Sequence, residues 1–135
     1  MAGYSGTPLI RKLGLKAGAV AHFIDVPKHY WDLLGPLPEG VRKAAANARA
    51  VDFIHLFVMR QADLTSRLGR LKARIAPAGM IWVSWPKKAA KVATDVTEDT
   101  IRAEALRVGL VDVKVCAVDA IWSGLKLVIR KHDRA

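Results

Sequence analysis

Several charged side chains and one tryptophan directly follow apolar runs that have the composition of buried strands. Lysine and arginine side chains bind phosphate or carboxylate, and an indole ring stacks on planar ligands. The residues concerned are Asp25, Lys28, Arg60, Trp85, Lys87 and Lys88. In the alternative, these charges belong to solvated loops and Trp85 packs as a lid on the core. The pattern therefore predicts either a pocket for an anionic ligand or a hydrated edge of a sheet.

A second polar cluster, over residues 94–99, combines two hydroxyls with three carboxylates. As a site, it would offer oxygen ligands to a hard cation. As local structure, it begins a helix, because Asp95-Val96-Thr97-Glu98 has the spacing of a capping box and Asp99 adds negative charge to the first turn. Capping accounts for nearly every residue of the cluster. We therefore expect a helix N-terminus here.

Two histidines and one cysteine lie within predicted strands. His22 and His55 would occupy neighbouring strands and could share a metal, but no third ligand has suitable spacing. We expect each to be a hydrogen-bonded or half-exposed histidine beneath a helix. The single cysteine, Cys116, excludes an internal disulfide and is expected to be a small buried hydrophobe. No Walker loop, Ser-His-Asp order or zinc spacing is present, so we expect no metal and no cofactor.

Composition predicts one domain over residues 1–135, with residues 1–18 as a glycine-punctuated leader. Hydrophobic residues make up 52% of the chain, which is enough for a proper core. No stretch of about 18 apolar residues occurs, and the N-terminus lacks an apolar signal region. We therefore expect a cytoplasmic protein without a membrane segment.

The net charge of +10 attracts anionic partners. The cations are scattered along the chain, which also suits an ordinary solvated surface; examples are Arg11, Lys16, Arg67, Arg70, Arg74 and Arg130. We expect an anionic ligand or an acidic protein as the partner. Charge also permits nucleic acid, but neither a recognition helix nor a row of stacking aromatics supports it.

The apolar segments alternate as in an α/β fold. Strands are predicted at residues 20–25, 51–59 and 80–85, followed by a hairpin from 111–118 and 125–130 with Ser123-Gly124 as its turn. Helices are predicted after Pro27 as far as Gly35, over residues 61–75, and from the capping box to Gly109, with a short helical turn near Leu9. Residues 41–46 form a short strand or a helical turn. This order gives a three-layer, Rossmann-like domain with a mainly parallel sheet that ends in an antiparallel hairpin.

This order of elements resembles that of class I methyltransferases, whose sheets end in such an antiparallel pair. The passage Ala76-Pro77-Ala78-Gly79-Met80-Ile81 is similar to the loop and strand after their ligand-side helix. However, the turn Ile24-Asp25-Val26-Pro27-Lys28-His29 lacks the glycines that let a backbone approach a nucleotide closely. Residues 44–47 offer no carboxylate for ribose hydroxyls. The resemblance implies the scaffold, while the missing loop argues against methyl transfer from S-adenosylmethionine.

A set of motifs over nearly the whole chain also resembles a small bacterial family classed as a domain of unknown function. The motifs are Thr7-Pro8-Leu9, Lys12-Leu13-Gly14, Trp85-Pro86-Lys87-Lys88, Trp122-Ser123-Gly124-Leu125 and residues 34–40, 94–99 and 113–119. This second resemblance implies no activity, ligand or catalytic residue.

The expected function is a non-catalytic binding or interaction module, with a basic rim for an anionic partner. The alternative is a small enzyme with an atypical nucleotide or phosphate-containing ligand site at the Trp85–Lys88 rim. A third hypothesis is a homo-oligomer that buries Trp82 or Trp122 at its interface. Near the predicted hairpin, Asp112, Lys114, Asp119 and Trp122 form either a patch facing a partner or a turn with Trp122 folded against the sheet.

Overall fold

The computed structural model describes residues 7–134, so the first six residues of the predicted leader lie outside the described part. A six-stranded sheet with the order β2-β1-β3-β4-β6-β5 organises this part of the chain. The strands are β1 (Val20–Ile24), β2 (Arg42–Lys43), β3 (Val51–Phe57), β4 (Ile75–Pro86), β5 (Leu110–Ala117) and β6 (Trp122–Ile129). The first four strands pair in parallel, and β6 runs antiparallel to both β4 and β5. This topology confirms the mainly parallel sheet and the antiparallel hairpin.

Helices cover both faces of the sheet, which confirms the three-layer arrangement. They are α1 (Leu9–Leu13), α2 (Tyr30–Leu34), α3 (Gln61–Lys72) and α4 (Glu98–Val108). On one face, Leu64 and Leu68 of α3 and Ile101 of α4 pack against the even-numbered residues of β3. On the other face, α1 and α2 pack against Phe53 and Trp82. No helix among residues 7–134 has the length and apolarity needed to cross a bilayer.

Strand β1 is less covered than its apolar sequence predicts. Of its five residues, Ala21 is fully buried and the others are partly exposed. The reason lies in its neighbour, because β2 contains just Arg42 and Lys43 and pairs with the first two residues of β1. Residues 41–46 therefore do supply a strand, but one too short to shield β1 along its length.

Strand β4 begins five residues earlier than predicted. The expected helix over residues 61–75 ends at Lys72, and Ile75 starts the strand by pairing with Val51. The register then shifts, so that Phe53 pairs with Met80 and the intervening residues bulge out of the ladder. A bulge needs no regular amide donor, which is why Pro77 is tolerated inside this strand.

The prediction of a turn at Ser123-Gly124 was wrong, because both residues lie inside β6 and the hairpin turn precedes them. Residues 118–121 make the connection, and Asp119 Oδ1 accepts hydrogen bonds from the backbone N–H groups of Ile121 and Trp122, an Asx-type turn. Gly124 instead faces Ser84 in the ladder. A Cβ atom on Gly124 would lie 3.1 Å from the ring of Trp82, so glycine is needed here for packing.

The bulge in β4 gives a direct test of the fold. We expect Gly79→Ala to lower the free energy of unfolding by at least about 1 kcal/mol, because overpacking against fixed atoms is costly. The added Cβ would lie 2.8 Å from the carbonyl oxygen of Val51, a backbone atom with little freedom to move. Urea unfolding followed by tryptophan fluorescence measures the change.

Gly69→Ala is the matched control, because Gly69 lies in the middle of α3 and its Cβ would meet Val108 at an ordinary 3.6 Å. This variant should raise the free energy of unfolding by about 0.5–1 kcal/mol, since glycine is a poor helix former. Equal responses of the two variants would contradict the described bulge.

Candidate functional site

Three of the six predicted site residues line one cavity at the carboxyl edge of the sheet. Trp85 and Lys87 come from the end of β4 and the residue after it, and Lys88 opens a short 3₁₀ turn. The cavity, here called the rim cavity, has a volume of about 530 Å³. Its polar lining also includes Thr94, Thr97, Ser123 and Glu98. Two ammonium groups and the hydroxyls of Thr97 and Ser123 suit an anion, whereas the Thr94 hydroxyl already donates to the carbonyl of Met59 and Glu98 would oppose an anion.

Trp85 forms an apolar wall of the rim cavity. Its exposed fraction is 7%, and its side chain belongs to the core between the sheet and the helices α3 and α4. The indole faces are therefore largely covered by protein. Stacking on a planar ligand would require this side chain to move, so the two lysines and the hydroxyls of Thr97 and Ser123 are the groups that a ligand could reach directly.

The other three predicted site residues lie elsewhere. Asp25 follows β1 and its carboxylate accepts a hydrogen bond of 2.7 Å from the Arg67 guanidinium on α3. Lys28 and Arg60 are exposed and do not line the rim cavity. The separation follows from topology: β3 lies between β1 and β4, and each strand spacing is about 4.8 Å. The carboxyl edge is basic, but it is not one pocket.

The polar cluster over residues 94–99 serves two helices, which corrects the details of the predicted capping box. Thr97 is the N-cap of α4, and its partner in the capping box is Thr100 instead of Glu98. Asp95 accepts a 2.7 Å hydrogen bond from the first backbone N–H of α3, that of Gln61. Glu98 pairs with Arg102 one turn later. The predicted helix N-terminus is confirmed as that of α4, and Asp95 links the segment before α4 to the start of α3.

His22 and His55 project from opposite faces of the sheet, so they cannot share a metal. The register pairs His22 with Ile54, one position before His55, and successive strand residues alternate between faces. His55 is fully buried between the Tyr30 hydroxyl, 2.9 Å from Nδ1, and the Ser84 hydroxyl, 2.7 Å from Nε2. This arrangement confirms the expected hydrogen-bonded histidine. Burial lowers the pKa of His55 to about 3, and burial also raises the pKa of Tyr30.

The pair His29–Asp119 carries no sequence pattern, because 90 residues separate its two members. His29 Nε2 lies 2.6 Å from Asp119 Oδ2 and joins the start of α2 to the β5–β6 turn. Burial alone would raise the pKa of Asp119, but hydrogen bonds from the N–H of Trp122, from His29 and from the N–H of Ile121 outweigh burial and lower it. The carboxylate thus acts as a buried anchor for the turn.

Of the two tryptophans expected at an oligomer interface, Trp82 and Trp122, only Trp122 has exposed surface. Trp82 is completely buried, so the hypothesis that it mediates oligomerisation was wrong. Trp122 is partly buried, with its ring centroid 5.0 Å from that of Phe57. The predicted polar patch is also divided, because Asp112 pairs with Arg102 at the other end of β5 from Asp119.

Cys116 is partly buried, and burial raises the pKa of its thiol.

A second basic cavity lies between α3 and β1. Arg67, Arg70 and Arg74 line it together with His22 of β1, and its volume is about 560 Å³. We call it the arginine groove. The spacing of the arginines at i, i+3 and i+7 places them along one face of α3 and its continuation. This spacing is the part of the groove that is visible in the sequence. Their meeting with His22 depends on tertiary contacts.

The methyltransferase resemblance implies S-adenosylmethionine, which would bind at the connection after β1. Val26 packs against the core beneath α2, and Pro27 follows it, where close approach of a backbone would require glycine. Asp25 has its carboxylate engaged with Arg67, and β2 is followed by Ala44, whose side chain cannot hold ribose hydroxyls. These residues do not fit S-adenosylmethionine bound through a glycine loop.

No protein-family model and no curated protein matches the sequence, so membership of the bacterial family stays a prediction. Solved structures do match the fold. Magnesium protoporphyrin IX methyltransferase (ChlM) from Synechocystis PCC 6803, with bound S-adenosylmethionine, superposes with a TM-score of 0.56 at 11% identity, covering 90% of this chain and 74% of that chain. A methyltransferase dependent on S-adenosylmethionine from Aquifex aeolicus gives 0.57 at 14% identity, covering 90% and 88%.

The methyltransferase CcbJ from Streptomyces caelestis gives a TM-score of 0.56 at 8% identity, covering 90% of this chain and 87% of that chain. At such identities the likeness concerns the backbone alone. The chain therefore has the Rossmann-like fold of class I methyltransferases.

Proposed function

We propose that this chain is a non-catalytic binding module, built on a methyltransferase-like scaffold, that holds an anionic partner at its basic carboxyl edge. The observation that carries the proposal is the rim cavity, where Lys87 and Lys88 share about 530 Å³ with the hydroxyls of Thr97 and Ser123. This volume lies within the range of small-molecule sites. Hydroxyls orient an anion through hydrogen bonds, while ammonium groups supply its counter-charge.

The connection after β1 supports a role other than methyl transfer. In the fold class, glycines at this position allow a nucleotide to approach, whereas here Val26 and Pro27 fill the turn and Asp25 is bound to Arg67. The scaffold is thus retained without the glycine loop. The excess of cations over the whole chain, a net charge of +10, would raise the local concentration of an anionic partner.

Thermal unfolding at low salt tests the proposal with four probes: ATP, a short DNA duplex, polyglutamate and S-adenosylmethionine. A probe present at 100 times its dissociation constant stabilises the fold by about 2.7 kcal/mol, which moves the midpoint by several degrees. We expect at least one of the three anionic probes to raise the midpoint. The double variant Lys87→Glu/Lys88→Glu should abolish this rise, because it reverses both ammonium charges of the rim cavity.

Lys16→Glu/Lys131→Glu is the matched control. Both lysines are exposed at the opposite edge of the sheet, so this variant changes the net charge equally while leaving the rim cavity intact. If both double variants lose the response, the effect comes from overall charge and the site is wrong. A response to S-adenosylmethionine would overturn the non-catalytic assignment, and a saturable, salt-tolerant response to ATP would favour the small-enzyme alternative.

A further inference from the structure

The arginine groove exists because the crossover from β2 to β3 contains no helix. Residues 44–50 cross over β1 as a loop and leave one flank of α3 open beside the edge of the sheet. Ile24 and Leu71 form its apolar wall, and Arg67 and Arg70 lie at its mouth. Among the described residues that line the groove, none is acidic. The charged side chains that line the groove are therefore all cations, and the Asp25 carboxylate lies beside it on Arg67.

Arg74 lies at the base of the groove, with an exposed fraction of 9%. Its guanidinium donates from Nε to the carbonyl of Ala48, from one terminal nitrogen to the carbonyl of Ala45, and from the other to Nδ1 of His22. These are three of its five N–H groups, and the other two have no protein acceptor within residues 7–134. A cation nine-tenths buried is thus left without a carboxylate partner.

The surrounding charges increase the need for an anion. Burial and the nearby Arg49 both lower the pKa of Arg74, so each opposes its charge. His22 accepts a hydrogen bond from Arg74, and burial followed by the Arg74 charge lowers the pKa of His22. The Arg70 guanidinium contacts a carbonyl of its own helix, that of Ser66, and Arg67 alone meets a carboxylate, that of Asp25.

We propose that the arginine groove binds a phosphate group, as a second site independent of the rim cavity. Guanidinium forks match phosphate oxygens in two parallel hydrogen bonds, and three arginines with unfilled donors meet here within about 560 Å³. A phosphate would accept hydrogen bonds from the remaining N–H groups of Arg74 at the base of the groove and from Arg67 and Arg70 at its mouth. The apolar wall suits the organic part of a phosphorylated molecule.

Isothermal titration with inorganic phosphate, pyrophosphate and a single-stranded oligothymidylate tests this site. Pyrophosphate should bind saturably, and Arg70→Gln should weaken binding at least about tenfold, because a charge-assisted hydrogen bond is lost. Arg70 is exposed and its guanidinium bonds to its own helix, so the variant should fold. Arg67→Gln is a second variant, and it also frees the Asp25 carboxylate beside the groove. Arg107→Gln, an exposed arginine on α4, is the control and should change binding less than twofold.

The arms of the titration separate the sources of phosphate and the two sites. Tighter binding of the oligonucleotide, with a steep dependence on salt and sensitivity to Arg70→Gln, assigns the phosphate to a nucleic-acid backbone. Binding of pyrophosphate alone assigns it to a small phosphorylated molecule. Absence of saturable binding by any probe, or equal binding by wild type and Arg70→Gln, overturns the proposal. Loss of binding in Lys87→Glu/Lys88→Glu with retention in Arg70→Gln would move the site to the rim cavity.

Discussion

Replacing Trp82 with alanine is expected to lower the free energy of unfolding by about 3–5 kcal/mol, the usual cost of truncating a large buried aromatic residue. Trp82 is completely buried in the middle of β4 and packs against the helices α1 and α2. Its indole Nε1 donates a 2.8 Å hydrogen bond to the carbonyl of Leu13, the last residue of α1. The alanine variant therefore loses both core volume and the link that holds α1 on the sheet.

Equilibrium unfolding in urea measures this loss, with Trp31→Ala as the control. Trp31 is more than one-third exposed and contacts Phe23 and Lys43 at the surface, so its truncation should cost about 1 kcal/mol. Trp82→Phe keeps most of the volume but removes the donor to Leu13, and it should give an intermediate loss together with faster proteolysis near α1. A Trp82→Ala cost no larger than that of Trp31→Ala would contradict the described core.

Acidification should destabilise the fold through His55. Its pKa is about 3 in the folded chain and 6.5 in the unfolded chain, because burial excludes the charged form. Between these values the unfolded state binds a proton that the folded state does not, so stability falls as the pH falls. From pH 7 to pH 5 this one group should remove about 2 kcal/mol, because stability falls by about 1.36 kcal/mol for each pH unit below the unfolded pKa of 6.5.

Unfolding free energies of wild type and His55→Gln at pH 7 and pH 5 isolate this contribution. Glutamine retains a donor and an acceptor for Tyr30 and Ser84 but does not titrate, so the drop between the two pH values should be smaller by about 2 kcal/mol. His132→Gln is the control, since this exposed histidine lies outside the core and its replacement keeps the contacts of His55 with Tyr30 and Ser84. The same pH dependence in His55→Gln as in wild type would show that His55 is accessible to protons in the folded chain.

Local sequence patterns account for most of the elements but not for their junctions. The apolar run of β3, the amphipathic pattern of α3 and Gly109 at the end of α4 predict structure that the chain adopts. Ile75 lies at helical spacing from Leu71 and equally suits the start of a strand, so the local pattern does not decide between the two. Gly124 follows a serine as in a turn, whereas its packing against Trp82 comes from a neighbouring strand and leaves no local pattern.

The candidate sites show the same limit. The rim cations follow their strands as predicted, but the distance between β1 and β4 depends on the strand order, which a sequence pattern does not specify. The arginine groove combines a spacing of three and four residues along α3 and its continuation with His22, 52 residues from Arg74. One-dimensional spacing could indicate the row of arginines, whereas the loop and strand that complete the groove are tertiary neighbours.

The two borders of the sheet have opposite consequences for association with other chains. The unpaired side of an edge strand can recruit a foreign strand, and short, charged edges prevent this. Strand β2 is such a protected edge, since its two residues are Arg42 and Lys43. Strand β5 is eight residues long and exposes Val113 and Val115. Of the two borders, β5 is therefore the better suited to adding a strand from a partner or from a misfolded copy.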